Sequence, residues 1–351
     1  MAPKRKTSKP PSSTKKQKIS EAASRSLTPD YSNLPLATLT QIVSYLNKKD
    51  DCLKPISETC QKFKVIALDS GRLKLCLDFN RITDERNYPK VSRSYKHLRL
   101  IGDEIMPNQR ELGKMLKTSK NSAETLEITG NRKSRLTIKQ ETFVFIGKCL
   151  PNLNEISLNN VNFLLPELKC ETIDDDDLPE FANLKKLVIN GTRRVIPTFK
   201  KVTALQDLVL LQDCYKNADM STFISSQRRL EKLRITSLGF LVLINDALPE
   251  LRSIEFVGQV DYFGIEDNNQ LREQKFLNFA PNLENVKIHY KPWILMQPEY
   301  PNPSLRLIKH PNVKAVKVVG SHAINCDLGA ILVFFPKLTS FKSHHFNWTK
   351  N

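Results

Sequence analysis

One spacing recurs along most of this chain and limits what it can fold into. An apolar residue is followed three positions later by a second one, and two positions after that by a third. Seven units keep this spacing clearly: Leu153/Ile156/Leu158, Leu184/Leu187/Ile189, Leu205/Leu208/Leu210, Leu230/Leu233/Ile235, Leu251/Ile254/Phe256, Leu283/Val286/Ile288 and Val313/Val316/Val318. Weaker copies begin at Tyr95, Ala123 and Leu338. The spacing predicts an array of about ten irregular repeats rather than one globular core.

Each unit predicts one short strand. Its last two apolar residues lie two positions apart, as they must if both face the same side of a strand. The first positions of successive units are separated by 28, 30, 31, 21, 25, 21, 32, 30 and 25 residues. Each step therefore leaves room for a return segment before the next strand stacks beside the last. We expect an α/β solenoid with a curved parallel sheet on its concave side and helices or irregular segments on its convex side.

The return segments carry signals of helices that end before a strand. Phe143, Ile146 and Leu150 have helical spacing ahead of one unit, and Leu328, Ile331, Leu332 and Phe335 have it ahead of another. Five units have proline two residues before the first apolar position, where it ends a helix. These are Pro151, Pro249, Pro281, Pro311 and Pro336, and "FANL" has Ala182 instead. Upstream, "RLKLCLDFN" alternates at period two and predicts the strand that begins the sheet.

Composition narrows the class of protein. The chain has 351 residues, of which 40% are hydrophobic, which is enough for a core. No window of eighteen apolar residues occurs and the first thirty residues are charged, so we expect no membrane span and no secretory signal. The seven cysteines are scattered without a CxxC pair, which disfavours a disulfide framework and a zinc site. We therefore expect an intracellular protein.

Catalytic patterns are also missing from the sequence. It has no phosphate-binding glycine loop and no nucleophile elbow, and only eleven glycines. The acidic run "TIDDDDLPE" has the carboxylates of a cation site but not the glycine-spaced ligand pattern, so a solvated loop is its alternative. We expect no catalytic residue, no cofactor and no metal site.

The N-terminal tail, residues 1–30, carries about a third of the net charge of +17. It has eight Lys or Arg residues against Glu21 and Asp30, and almost no large apolar residues. Such a segment cannot bury enough surface to offset the entropy of ordering, so we expect disorder. "PKRK" and "KKQK" are typical of a two-part nuclear import signal that binds an importin, with a solvated basic tail as the alternative. The basic residues concerned are Lys4, Arg5, Lys6, Lys15, Lys16 and Lys18.

Residues 31–70 predict a small helical unit. Leu39, Ile42, Val43 and Leu46 form one apolar stripe at helical spacing, and the polar loop "NKKDD" interrupts it. A second stripe runs from Ile56 to Ala67. Two or three short helices do not make a stable core alone, so their apolar faces need a neighbour.

This segment resembles the F-box family. The family opens with Leu-Pro, places a Leu, an Ile and a Tyr-Leu pair along the first helix, and later has a Cys followed by an aromatic residue. The matching positions are Leu34, Pro35, Leu39, Ile42, Tyr45, Leu46, Cys60 and Phe63. Two positions depart from the pattern. Ala37 stands where the family usually has Glu, and "DDCL", ending at Leu53, is one residue longer than the common Asp-Leu turn.

Together with the repeats, the chain is similar to F-box proteins with leucine-rich repeats. The resemblance implies the substrate-receptor subunit of an SCF-type cullin ubiquitin ligase, which is not itself an enzyme. Its F-box docks on a Skp-type adaptor, and through that adaptor on a cullin scaffold. The residues implied for adaptor binding are Leu34, Pro35, Leu39, Ile42, Tyr45, Leu46, Leu53 and Cys60. The expected organisation is a tail at 1–30, an F-box at 31–70 and a repeat domain at 71–351.

The concave face is expected to bind the substrate. The slot just before the last apolar residue of each strand is occupied, in order, by Glu127, Ser157, Val188, Val209, Arg234, Glu255, Lys287, Lys317 and Lys342. Its C-terminal half is basic, with Lys232 and Lys314 close by. Because clustered lysine and arginine pair well with phosphate, we expect an acidic or phosphorylated protein segment there, with an ordinary charged face as the alternative.

Two other functions stay open. A nuclear scaffold or adaptor would use the repeats without a ligase, and Ala37 is the only sequence hint for it. A nucleic-acid-binding protein is suggested by charge alone, but the repeat region has no basic runs interleaved with aromatic residues, which disfavours it. We expect the protein in the nucleus, with the cytoplasm as a further location, and we expect no binding to membranes.

Overall fold

A computed structural model describes a few residues near the N-terminus and most of the chain from residue 74 onwards. The described residues are 35, 37–39, 41, 74–81, 91, 94–103, 106–107, 109–164, 178, 181–192, 199–211, 218–236, 246–258, 278–290, 310–326, 332–333 and 335–348. The tail at 1–30, most of the segment 31–70 and the acidic run around Asp174 to Asp177 lie outside them.

The described residues form thirteen strands, all of them in parallel pairs. They are β1 (Lys74–Asp78), β2 (His97–Gly102), β3 (Thr125–Gly130), β4 (Leu136–Lys139), β5 (Glu155–Asn159), β6 (Val161–Leu164), β7 (Lys186–Asn190), β8 (Asp207–Leu211), β9 (Lys232–Ile235), β10 (Ser253–Gly258), β11 (Asn285–Tyr290), β12 (Ala315–Cys326) and β13 (Ser340–Trp348). Eleven of them make one sheet in the order β1-β2-β3-β5-β7-β8-β9-β10-β11-β12-β13. Strands β4 and β6 form a separate pair. The predicted α/β class with a large parallel sheet is confirmed, and so is the first strand, β1.

One backbone contact repeats at every step of the large sheet from β2 to β13. The carbonyl oxygen just before one strand accepts N–H bonds from two consecutive residues at the start of the next, as Lys96 does from Glu124 at 2.8 Å and Thr125 at 3.0 Å. The accepting residues are Lys96, Glu124, Asn154, Lys185, Gln206, Glu231, Arg252, Glu284 and Lys314. The numbers of residues between successive acceptors equal the steps between successive units in the sequence. The sequence units therefore coincide with the structural repeats.

The core lies on one face of this sheet. In nine consecutive strands, β2 to β12 without β4 and β6, both apolar positions of the repeat are buried, as Ile156 and Leu158 show with no exposed surface. The residue that opens each unit is buried as well from Ala123 to Val313. Burial of apolar area is the main force that stacks the repeats, because no single unit can hide its own apolar face.

Three α-helices lie in the described return segments. They are α1 (Gln109–Leu116), α2 (Gln140–Cys149) and α3 (Ala218–Ser226). Helix α2 confirms the helical spacing of Phe143 and Ile146, and Leu150 is its C-cap. Of the second expected helix, Leu332 is helical but exposed and Phe335 is buried but not helical, whereas Leu328 and Ile331 lie outside the described residues. No helix among the described residues is both long and apolar enough to cross a bilayer.

An aromatic cluster joins helix α2 to three neighbouring segments. The ring of Phe143 lies 5.2 Å from that of Phe163 and 5.6 Å from that of Phe199, both edge to face. Phe181 packs against Phe143 and Phe199 at 6.1 and 5.6 Å. Edge-to-face pairs add to the free energy of apolar burial, so this cluster ties the irregular returns of three units together.

The asparagines of the "PN" turns connect neighbouring units. Asn282 donates from its side chain to the carbonyl of Pro249 at 2.8 Å, and Asn312 donates to that of Pro281 at 2.8 Å. Asn152 bonds to the carbonyl of Asn121 at 2.9 Å in the same way. The prolines were expected to end helices, whereas the role of the asparagines beside them was not foreseen.

Candidate functional site

The face of the large sheet opposite the core is called the open face here. It consists of the first, third and fifth residues of each strand, since alternate residues of a strand point to opposite sides. The third residues are paired in register across all eleven strands and form the middle row: Cys76, Arg99, Glu127, Ser157, Val188, Val209, Arg234, Glu255, Lys287, Lys317 and Lys342. The slot read from the sequence is therefore one continuous row.

Opposite charges alternate on the N-terminal part of the open face. Arg99 Nε lies 3.3 Å from Glu127 Oε1, and Lys186 Nζ lies 2.8 Å from Glu155 Oε1. Asp207 stands in register between Lys186 and Lys232. Burial raises the pKa of the Asp207 carboxyl, and the two lysines partly oppose that rise. The charges of this part neutralise one another, so it has little net attraction for an anion.

Glu255 gathers three basic side chains on the middle of the open face. Its Oε1 accepts hydrogen bonds from Lys287 Nζ at 2.8 Å and from His289 Nε2 at 2.5 Å, and Arg234 Nε lies 3.4 Å away. Burial by itself would raise the pKa of Glu255, but the bonds from Lys287 and His289 and the charge of Arg234 outweigh it. The pKa of Glu255 is therefore held below its ordinary value, and the carboxylate is ionised at neutral pH.

The last two residues of the middle row, Lys317 and Lys342, are basic and follow Lys287, which is paired with Glu255. Lys317 is half-buried and Lys342 is exposed, and neither has an ion-pair partner among the residues that the structure describes. The first-position residues beside them, Ala315 and Ser340, are small and uncharged. Two ammonium groups on adjacent strands, about 5 Å apart at the backbone, therefore stand beside a low, neutral surface.

The six expected substrate-binding residues do not form one stripe. Arg234, Lys287, Lys317 and Lys342 share the middle row, whereas Lys232 is the exposed first residue of β9. Lys314 precedes β12 and bonds to Glu284 Oε1 at 2.9 Å, which lowers the pKa of that glutamate. Glu255 divides the row, because it binds Arg234 and Lys287 and leaves Lys317 and Lys342 uncompensated.

His289 belongs to this site and was missed by the sequence reading. It stands two positions after Lys287, so it lies on the same face of β11. Its pairing with Glu255 joins the fifth position of β11 to the third position of β10, which is a diagonal contact between neighbouring strands. The alternation of side chains along β11 predicts that His289 lies on the open face. That its partner is Glu255 follows only from the register between β10 and β11.

Two of the expected adaptor-binding residues are described. Pro35 is exposed, and its carbonyl accepts the N–H of Leu39 at 3.1 Å. Leu39 lies in the short helical stretch 37–39 and has no exposed surface. The other expected residues lie outside the described part of the chain: Leu34, Ile42, Tyr45, Leu46, Leu53 and Cys60. The expected import residues of the tail lie outside it as well.

Comparison with protein families and with curated proteins gives no significant match. Within the described ranges no group of three or more His, Cys, Asp or Glu residues is placed to hold a metal ion. The candidate site among the described residues is the C-terminal end of the open face, where Lys317 and Lys342 lie side by side.

Proposed function

We propose that this chain is the substrate-receptor subunit of an SCF-type ubiquitin ligase, in which the open face binds a protein substrate and the segment 31–70 docks on a Skp-type adaptor. The observation that carries the proposal is the middle row, one in-register line across eleven strands that ends in two lysines without an acidic partner among the described residues. A repeat sheet of this kind suits binding of an extended protein segment. The Leu-Pro pattern ahead of the repeats supports docking on the adaptor.

The chain in this proposal does no chemistry of its own. It holds the substrate near a ubiquitin-loaded partner enzyme, which raises the effective concentration of the substrate's lysines at the reactive thioester. A leucine-rich-repeat solenoid fits this task, because its sheet offers an extended surface for the substrate.

Co-elution of the purified full chain with a Skp-type adaptor in size-exclusion chromatography tests this proposal. We expect a stable complex that Pro35→Asp weakens, since Pro35 is exposed, and that Leu39→Ala with Leu46→Ala abolishes. Because Leu39 is buried, circular dichroism must show that the double variant keeps its repeat domain folded. The matched control is Lys317→Glu with Lys342→Glu, which should bind the adaptor normally. Absence of co-elution of the unaltered chain overturns the ligase proposal.

The burial of Leu39 favours a second candidate function, one without docking on the adaptor. A docking anchor is expected to be available to the partner, but Leu39 has no exposed surface in the isolated chain. Ala37, where the F-box family usually has Glu, agrees with this. The second candidate is a nuclear leucine-rich-repeat scaffold that binds proteins without an adaptor. A chain that binds partners through its open face but never co-elutes with the adaptor identifies this candidate.

We place the protein in the nucleus on account of its basic tail. Residues 1–30 fused to a large inert reporter should carry it into the nucleus, and changing Lys15, Lys16 and Lys18 to Ala should reduce nuclear fluorescence. A reporter that stays evenly distributed between nucleus and cytoplasm contradicts this location signal.

A further inference from the structure

The acidic residues of the open face stop at β10. Acids stand on this face in β1, β3, β5, β8 and β10, as Asp78, Glu127, Glu155, Asp207 and Glu255. The first three open-face positions of β11 and β12 are Asn285, Lys287, His289, Ala315, Lys317 and Val319, and β13 begins with Ser340 and Lys342. Among these open-face positions, each of the last three strands has one lysine and no acidic residue.

Lys317 and Lys342 face each other across one strand spacing. They are register partners on β12 and β13, and like charges on adjacent strands destabilise a sheet unless a counter-charge lies between them. A phosphorylated side chain carries about −1.5 to −2 charge at pH 7 and three acceptor oxygens. One phosphoryl group therefore matches the charge of both ammonium groups, whereas a single carboxylate leaves one of them uncompensated.

Lys287 is the next lysine of the row but is not equally available. Its ammonium group bonds to Glu255 at 2.8 Å, and the same carboxylate oxygen accepts His289 and lies near Arg234. Any anion that approached Arg234 or Lys287 would have to approach this carboxylate as well. Glu255 therefore divides a basic row of four residues into one pair that shares its carboxylate, Arg234 and Lys287, and a second pair, Lys317 and Lys342, that has no acidic partner among the described residues.

We propose that Lys317 and Lys342 form a subsite for one phosphorylated side chain of a protein partner, and that Glu255 limits the site to a single phosphate by holding Arg234 and Lys287. This inference rests on the protein-binding role of the open face proposed above, but not on docking to the adaptor. It assigns two kinds of role: the lysines bind the phosphate, and Glu255 determines specificity.

The test uses the full chain and immobilised peptide libraries of eleven residues with random flanks. The central residue is phosphoserine, serine or glutamate. We expect binding to the phosphoserine library to exceed binding to the serine library by about tenfold or more, since charge-assisted bonds to phosphate are the strong ones. Lys317→Glu with Lys342→Glu should remove that preference, and Lys317→Gln with Lys342→Gln should reduce it. Equal binding to the glutamate and phosphoserine libraries overturns the assignment of phosphate.

A matched control separates position from net charge. Lys133 and Lys139 are exposed and lie far from β12 and β13 in the sequence, and their change to Glu alters the net charge equally. This control variant should keep the preference for phosphoserine. If it loses that preference as fully as the Lys317/Lys342 variant does, binding depends on total charge and the subsite is wrong.

The role of Glu255 is tested with a second phosphoserine four residues from the first. Four extended residues span about 13 Å, close to the two to three strand spacings between Glu255 and the Lys317/Lys342 pair. The unaltered chain should gain less than about twofold from the second phosphate, and Glu255→Gln should gain about tenfold, because it frees two cations. Equal gains in both chains overturn the role of Glu255. Co-elution with the adaptor is measured on the same preparations, so failure of the peptide result and failure of the ligase proposal are distinguished.

Discussion

Gln227 and His310 occupy the same place in two different repeats and make the same bond. Each is the residue three positions before the first apolar residue of its unit, a position that is apolar in Leu150 and Leu248. Gln227 Nε2 donates to the carbonyl of Val202 at 2.6 Å, and His310 Nε2 donates to that of Ala280 at 2.9 Å. Val202 and Ala280 are the equivalent residues of the preceding units. Both side chains are fully buried, so each bond joins two repeats inside the core.

The bonding of His310 fixes it in the neutral form. Its Nε2 carries the proton donated to Ala280, and its Nδ1 accepts the N–H of Asn312 at 3.3 Å. A second proton on Nδ1 would face that N–H. Burial lowers the pKa of His310, and the bond to Ala280 only partly opposes this effect.

The first prediction is that His310 makes the fold less stable in acid. Since the folded protein keeps His310 neutral while the unfolded chain takes up a proton, stability falls as the pH drops below the ordinary histidine value of 6.5. His310→Gln should keep the bond to Ala280, as Gln227 does in its own unit, and should lose this part of the pH dependence. Urea unfolding midpoints at pH 7.5 and 5.5 measure the effect.

His310→Leu is the companion variant. It places the residue found at Leu150 and Leu248, but it removes the donor to the Ala280 carbonyl, at a cost of about 1–3 kcal/mol at neutral pH. An equal loss of stability between pH 7.5 and 5.5 in the unaltered chain and in His310→Gln would show that His310 is not the titrating group.

The strand array is predictable because its signals are local and repeated. Two apolar residues at period two fix the buried face of each strand, so the row from Glu127 to Lys342 follows from counting alone. The pair of β4 and β6 was not predicted, although Leu136 and Ile138 alternate in "RLTIK". Four residues carry too weak a period-two signal to be separated from a loop. The ties made by Gln227 and His310 were missed as well, because a polar residue in an apolar position predicts neither burial nor a partner.

The sequence predicted which residues share the middle row, but not which of their charges are paired. The spacing puts Arg234, Glu255, Lys287, Lys317 and Lys342 on one row, and the register confirms this placement. Which lysines stay free depends on side-chain contacts across the strands, and sequence spacing contains no such information. The prediction that the C-terminal half is basic named Glu255 in the row but did not foresee that Glu255 pairs with Arg234 and Lys287.

The second prediction compares two glycines that are register partners, Gly102 and Gly130. A Cβ atom on Gly130 would lie 2.3 Å from the Asn160 oxygen and 2.4 Å from the Leu136 nitrogen, two backbone atoms that bond to each other at 3.2 Å. Gly130→Ala must move the backbone or break that bond, and we expect a loss of about 2–3 kcal/mol in the free energy of unfolding. Urea denaturation followed by circular dichroism measures it.

Gly102→Ala is the control for this prediction. Its Cβ atom would meet the flexible end of Leu136, at 3.0 Å from Cδ1, instead of backbone. A side chain can move at small cost, so Gly102→Ala should lose less than about 1 kcal/mol. If both variants lose the same free energy of unfolding, the close approach of the backbone at Gly130 does not set the cost, and the prediction is wrong.

The last prediction concerns the one "FANL" turn. Phe181 has a φ of 42°, in the left-handed region that is costly for a large side chain. Proline in the next position disfavours helical backbone geometry and moves the preceding residue to extended conformations. Ala182→Pro, which copies five other units, should therefore destabilise the protein, by about 1–3 kcal/mol, because Phe181 would have to leave both its conformation and the aromatic cluster.

Thr203→Pro is the matched control, since Thr203 is the equivalent position in the next unit. Thr203 is exposed, and the preceding residue, Val202, does not have a positive φ. Neither proline removes an N–H that donates to another backbone group in the loops and turns. Thr203→Pro should thus leave the unfolding midpoint unchanged or raise it slightly, because proline restricts the unfolded chain. If Ala182→Pro and Thr203→Pro unfold at the same urea concentration, the prediction is wrong. The positive φ of Phe181 would then not explain why this turn has alanine instead of proline.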